Sequence, residues 1–281
     1  MEKDALHNYE YRVDLDGNSA PARVVRMVGN NKRVLEIGAG PGSITRHLHG
    51  SGNCSVIALE IDDEAIPLLK PFCERVYQAD LNDPKWPDLL NADGKFDVVV
   101  AADVLEHVYD PWKTLKLISS LVGKDGSVVI SLPHVGHSAV AACLLAEDFH
   151  YRDWGLLDRT HIRFFGLKNM QSLFNDAGLS IVEAQFVIVS PEDSELSGYW
   201  NSLGSNVRKA LSSHKYGNVY QVVIKAVPAN SSVNSLDLLA IPVEMPVYSG
   251  TTLIKRIAKK FIPENQRGKA KAIARMFGVK G

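Results

Sequence analysis

The strongest constraint on this chain is a rhythm in which short, nearly continuous apolar runs alternate with segments of helical spacing. Residues 33–37, 56–59, 75–78, 96–101 and 127–132 are too short for helices, and the last two are apolar at adjacent rather than alternate positions. Runs of that kind are strands covered on both faces, as in a parallel sheet. Residues 20–28, 43–49, 63–72 and 111–121 between them read as helices, so the expected fold is α/β with helices on both faces of the sheet. Beyond residue 132 the rhythm changes. Residues 133–165 form a mixed segment rich in His, Arg and aromatic residues, and residues 167–177 read as a helix ended by Gly178. Two late strands, 179–189 and 220–227, flank a polar stretch. Without a helical crossover they can pair antiparallel at a sheet edge.

The strongest local signal is Glu36-Ile37-Gly38-Ala39-Gly40-Pro41-Gly42, where the first run meets a helical segment. Glycine lets the backbone turn tightly and approach a ligand with no Cβ in between. An acid just ahead of the loop can accept a hydrogen bond from a ligand amino group or an ordered water. Alone, the loop is weak, because a ligand-free turn or a dehydrogenase loop reads much the same. Further acids narrow it. Glu60 closes the second run, where a carboxylate can hold both ribose hydroxyls. Asp80 closes the third in Gln78-Ala79-Asp80-Leu81, placed for an adenine amino group. The fourth continues into Asp103-Val104-Leu105-Glu106-His107-Val108. All lie at carboxyl ends of strands, where open α/β sheets bind ligands.

This series resembles the class I S-adenosylmethionine-dependent methyltransferases over roughly residues 30–190. The resemblance implies a Rossmann-like seven-stranded sheet in the order 3-2-1-4-5-7-6, with strand 7 antiparallel. It implies S-adenosylmethionine as cofactor, with Glu36, Gly38, Gly40 and Gly42 around the methionine moiety, Glu60 at the ribose and Asp80 at the adenine. Ala39, Ile61 and Leu81 belong to the same crevice, and Asp103 is expected to line the reaction chamber. The stretch from Asp103 to Val108 is typical of methyltransferases and argues against a dehydrogenase.

A second informative stretch is Tyr151-Arg152-Asp153-Trp154-Gly155-Leu156-Leu157-Asp158-Arg159-Thr160-His161-Ile162-Arg163-Phe164-Phe165. It resembles the acceptor-side insertion of bacterial methyltransferases encoded with glycan-assembly enzymes, in which Gly-x-Leu-Asp-x-Thr-His-x-Arg-Phe-Phe recurs. The resemblance implies a sugar or glycan acceptor, and it departs at Pro133-His134, where Pro-Asn is expected. Arg152, Arg159 and Arg163 can grip phosphate or carboxylate. Tyr151 and Trp154 offer flat faces to sugar rings. The plainer alternatives are an Asp158–Arg159 pair that pins a lid, and core positions for Phe164 and Phe165.

Methylating a hydroxyl requires removal of its proton, and His161 suits that role, with His134 and His107 as competitors. Glu106, His107 and His161, with Asp103 as a fourth candidate, can instead hold a divalent metal that acidifies the hydroxyl. That grouping is similar to the one in ubiquinone-pathway O-methyltransferases and small-RNA 2′-O-methyltransferases, although Asp103 stands where a glutamate is expected. A capping role for Glu106 and His107 is the alternative. Three functions follow as expectations: O-methylation of a sugar hydroxyl in a glycan or its precursor; metal-assisted O-methylation of a phenolic or ribose hydroxyl; and a cofactor-binding scaffold without catalysis.

Composition bounds the rest. A net charge of −1 gives no overall steering toward nucleic acid or membrane, and the three cysteines lack metal or disulfide spacing. With no signal-peptide pattern or membrane-length apolar run, a cytoplasmic location is the expectation. The charge is uneven, however. From Leu253 onward nine Lys or Arg face one acid, Glu264, a net of +8 that leaves −9 elsewhere. Residues 253–261 and 268–277 place apolar residues on one helical face, so this tail can lie on an anionic inner-membrane surface or dock on the acidic body of its own or a second subunit. The expected organisation is a methyltransferase domain over 1–228, with the insertion at 133–165, a linker over 229–252 and a basic amphipathic tail over 253–281.

Overall fold

The computed structural model describes residues 11–229 and 234–244. Seven strands form one sheet: β1 (Arg33–Ile37), β2 (Ser55–Glu60), β3 (Arg75–Gln78), β4 (Phe96–Ala102), β5 (Val122–Pro133), β6 (Leu179–Ile188) and β7 (Val219–Pro228). Their order is β3-β2-β1-β4-β5-β7-β6. The first five strands pair in parallel, and β7 runs antiparallel between β5 and β6. This is the expected sheet, reversed strand included. The helices are α1 (Ala20–Val28), α2 (Thr45–His49), α3 (Ile66–Leu69), α4 (Pro111–Leu121), α5 (Ser138–Leu145), α6 (Leu167–Asp176), α7 (Ser197–Ser202) and α8 (Ser205–Ser212).

The pleat explains why the strands read as continuous apolar runs. Leu35, Ile37, Val99, Ala101, Val128, Ile130 and Ile224 pack on one side against Leu115 and Ile118 of α4 and Leu173 and Phe174 of α6. Their neighbours Val34, Val98, Val100, Val129 and Val223 pack on the other against Val24 and Val28 of α1 and Leu48 of α2. Both faces are dry, so both side-chain sets must be apolar. The helix ends are written locally. Ser19 caps α1 by accepting the Ala22 N–H, and Asp110 caps α4 by accepting that of Lys113.

Several elements depart from the sequence reading. The helix expected over 63–72 shrinks to α3 and a 3₁₀ turn at Lys70–Phe72, because Pro67 and Pro71 remove two N–H donors. Residues 123–126, expected as a turn, extend β5 backward, and a Cβ on Gly126 would meet the Phe96 carbonyl at 2.8 Å. The mixed segment 133–165 contains α5, and the polar stretch before β7 contains α7 and α8. α5 lacked a visible stripe because most of it is buried and apolar all round. Residues 234–244, expected as part of a linker, carry no helix or strand but still pack on the core. Leu238 is fully buried, its N–H donates to Gln171 Oε1 at 3.0 Å, and the Leu236 N–H donates to the Ile181 carbonyl. The compact unit accordingly runs to Val243. The basic tail 253–281 lies outside the described residues. Among the described residues no helix is long and apolar enough to cross a membrane.

Candidate active site

A crevice of about 1450 Å³ opens at the carboxyl ends of the central strands and runs from Asp80 to His161. Its first half is built from backbone. Gly38 and Gly40 hold φ of 65° and 53°, which glycine adopts without a Cβ clash. On Gly38 a Cβ would also meet Val104 at 2.7 Å. The Gly38 and Ala39 N–H groups donate to the Leu59 carbonyl, tying the loop to β2. Glu60 completes the tie: Oε2 accepts the Gly40 N–H at 2.6 Å, and Oε1 accepts those of Ile61 and Asp62 at 2.8 and 2.9 Å. Asp80 and Leu81 lie across the crevice with Ile61, which is 59% exposed and offers a flat apolar edge.

Acids dominate the floor. Burial pushes the Glu36 carboxyl up to about 8, against the pull of the Thr45 hydroxyl and with the Glu60 carboxylate adding to the rise. Its Oε2 has no hydrogen-bond partner. Asp103, at φ 55° just past β4, accepts hydrogen bonds from Ser131 Oγ at 2.8 Å and Gln221 Nε2 at 2.9 Å. Burial raises its carboxyl, and those two bonds hold it partly down. A buried acid with one unpartnered oxygen, beneath a glycine loop, fits a ligand ammonium, and the acids together fit a cationic ligand.

The second half is built from side chains brought from distant segments. Glu106 is completely buried and neither carboxylate oxygen has a partner, so burial, reinforced by Asp103, holds its carboxyl well above the usual range. His161 Nε2 stands 3.9 Å from Glu106 Oε1, and the rings of His107 and His161 meet edge to face at 4.8 Å. Burial, then His107, depresses His161 to about 4, which leaves a neutral imidazole near pH 7. Its Nδ1 lies 3.4 Å from the Leu156 carbonyl. A carbonyl can only accept, so Nδ1 carries the hydrogen and Nε2 turns a lone pair toward Glu106. Two acceptors facing each other need a proton or a cation between them. One donor atom from each of Glu106, His107 and His161 lies within 4.8 Å of the others, a spacing that suits a divalent cation. Asp103 is not among them, since its Oδ1 is engaged by Ser131 and Gln221.

The structure draws most of the sequence-selected residues into this crevice, but not all. Glu36, Gly38, Ala39, Gly40, Glu60, Ile61, Asp80, Leu81, Asp103, Glu106, His107, Trp154, Arg159 and His161 line it. Gly42, Arg152, Arg163 and His134 do not. Gly42 packs toward Leu69 and Thr45 where α2 begins. His134 is buried with Nδ1 on the Val219 carbonyl at 3.0 Å, and burial lowers it to about 4. Arg152 bridges to Asp158 through the backbone, and the Arg163 guanidinium is held by the Tyr109 and Ile162 carbonyls. Arg159 pairs with Asp153 at 3.5 Å rather than with Asp158. Phe165 is core, whereas Phe164 is 37% exposed.

Other wall residues were not singled out in the sequence. Tyr11, Tyr220 and Gln221 all line the crevice. Glu195 stands behind the acceptor side, accepting the Leu156 N–H at 2.8 Å and the Tyr220 hydroxyl at 3.0 Å. A Cβ on Gly155, at φ 93°, would strike its carboxylate at 2.3 Å. No local pattern marks these residues, because each acts through a partner more than twenty positions away.

Sheet order, glycine loop and acidic strand ends define the class, a Rossmann-like methyltransferase. A model of the family described as methyltransferase domain matches residues 9–184, and the chain belongs to that family. A ubiquinone biosynthesis O-methyltransferase from Cereibacter sphaeroides is 26% identical over 57% of this chain and 64% of its own length. The mitochondrial ubiquinone biosynthesis O-methyltransferase of Dictyostelium discoideum is 23% identical over 62% of this chain and 57% of its own. The chain thus spans less than two thirds of these relatives. A SAM-dependent methyltransferase from Archaeoglobus fulgidus, 18% identical, shares the fold with a TM-score of 0.51, covering 73% of this chain and 91% of that one.

Proposed function

We propose that this protein transfers a methyl group from S-adenosylmethionine to a hydroxyl oxygen presented at Glu106, His107 and His161. The observation that carries the reading is the unpartnered Glu106 carboxylate, 3.9 Å from the His161 lone pair at the far end of the cofactor crevice. The cofactor supplies an electrophilic methyl on a sulfonium. Glu36 would take its ammonium, Glu60 its ribose hydroxyls and Asp80 its adenine edge, leaving the methyl toward Asp103. The chain then contributes alignment and proton removal. The O-methyltransferase names of the curated relatives support oxygen as the accepting atom.

Two acceptor readings share this chemistry. A sugar hydroxyl of a glycan or glycan precursor suits the exposed ring of Trp154 and the Arg159 guanidinium at the rim, with His161 as base. A phenolic or ribose hydroxyl assisted by a divalent cation suits the Glu106, His107 and His161 group. The geometry supports the second best, because a base depressed to about 4 is poorly matched to an alcohol, whereas metal ligation needs the neutral imidazole. A cation held there would lower the pKa of the acceptor hydroxyl.

The experiment is transfer of labelled methyl from the cofactor into fractionated cell material, with glycan, lipid, RNA and small molecules scored separately, before and after dialysis against a chelator. Loss of transfer that Zn²⁺ or Mg²⁺ restores is expected. Full activity after chelation returns the site to the metal-free base, and label on nitrogen overturns the hydroxyl reading. For the basic tail, outside the described residues, we propose contact with an anionic membrane. Liposome sedimentation unchanged by removal of residues 252–281 would overturn it.

A further inference from the structure

The motif Asp158-Arg159-Thr160-His161 supplies more than one functional side chain. We propose that Asp158 and Thr160 are positioning residues that select the tautomer of His107, an inference that rests on the hydroxyl-methylation reading of the same site.

The argument counts hydrogens. Asp158 is 3% exposed, and its Oδ1 accepts both the Thr160 N–H at 2.8 Å and the Thr160 hydroxyl at 2.7 Å. Thr160 has one hydroxyl hydrogen, and Asp158 takes it. The same Oγ1 lies 3.1 Å from His107 Nδ1, and the Thr160 carbonyl lies 3.2 Å from that nitrogen. Both oxygens can only accept there, so Nδ1 must donate. Neutral His107 is then the Nδ1–H form, with its lone pair on Nε2. The Leu156 carbonyl imposes the same form on His161. One loop thereby sets both imidazoles, and it is locked to the opposite wall where the Ile162 and Arg163 N–H groups donate to the Glu106 carbonyl at 2.9 and 3.0 Å. Hydrogen bonds to the far nitrogen of a ligating imidazole orient the ring and raise its basicity, and removing them weakens metal affinity by about 10- to 100-fold.

Asp158→Ala is the decisive variant, since an amide at 158 would leave its oxygen on the Thr160 N–H and hydroxyl. Removing the acceptor frees the Thr160 hydroxyl to point its hydrogen at His107 and admits the other tautomer. In the full chain labelled with ¹⁵N-histidine, long-range ¹⁵N–¹H spectra, assigned with His107→Gln, should show Nδ1–H for His107 in the parent and a mixture in Asp158→Ala. Zn²⁺ titrated calorimetrically should bind about tenfold or more weakly to Asp158→Ala. Asp158→Asn and Thr160→Ser should match the parent in both readouts, and Thr160→Val should fall between. An unchanged tautomer in Asp158→Ala overturns the proposal. If the parent binds no Zn²⁺ yet keeps the Nδ1–H form, the metal reading fails and the positioning role stands.

Discussion

The two halves of the crevice are held by different kinds of bond. On the cofactor side the groups that matter are backbone: two glycines at positive φ, and a carboxylate, Glu60, that accepts three N–H groups within twenty residues of itself. On the acceptor side they are side chains from the segment after β4, the 151–165 loop, the segment ahead of α7, and β7, joined across separations of 25 to 118 residues. A backbone cradle works with any side chains that leave it room. A side-chain cluster fails if one member changes chemistry. The acceptor half should therefore respond to conservative substitutions and the cofactor half to added volume.

The largest effect is expected from Glu106→Gln, which keeps the shape and removes the ionisable group. Turnover should fall by about 100-fold or more while cofactor affinity stays within about threefold. Turnover within a few fold of the parent would break the contrast at its centre. Gly38→Ala should do the reverse, weakening cofactor affinity by roughly 30-fold, since a Cβ at positive φ costs on the order of 2 kcal/mol before the Val104 contact is counted. Equilibrium titration with the demethylated cofactor measures it, and an unchanged constant would show that the loop has slack.

Glu195→Ala sharpens the comparison, because its carboxylate holds the Leu156 turn and Tyr220 and lies outside the residues that line the crevice. The expected result is a rise of about tenfold in acceptor KM with cofactor affinity intact. Equal losses in both would mean that the two halves move together. The smallest effect is a proton count. Glu36 in the free protein titrates near 8, and a cationic ligand stabilises its charged form, so cofactor binding at pH 7 should release somewhat less than one proton. Calorimetry in buffers of different ionisation enthalpy reads this release, and Glu36→Gln should abolish it. The same shift has a fixed sign for stability. The folded state keeps a proton that the unfolded chain has lost, so the cofactor-free protein should lose stability as pH rises from about 4.5 to about 8. A rise over that window would show that Glu36 is ionised.

The contrast also explains what could be read in the residues. Gly38, Gly40, Glu60 and Asp80 sit at strand ends whose place in a parallel sheet follows from local apolar runs, so their convergence needs only the sheet order. His134 and Arg163 were selected by residue type, and nothing nearby in the chain says that one turns to the Val219 carbonyl and the other to that of Tyr109. α5 escaped because a helix apolar on nearly every side shows no stripe, and Leu238 because an irregular segment has no period.

What the sequence determined by itself was the layered α/β sheet, the glycine hinge and the acids that end its strands, since burial on two faces and a backbone turn leave their mark within a few residues. Only the tertiary structure decided the acceptor site. Which carboxylate loses its partners, which imidazole nitrogen carries a hydrogen and which arginine reaches the crevice depend on how β7 and the 151–165 loop pack against the end of β4. Those contacts join residues that no local pattern links.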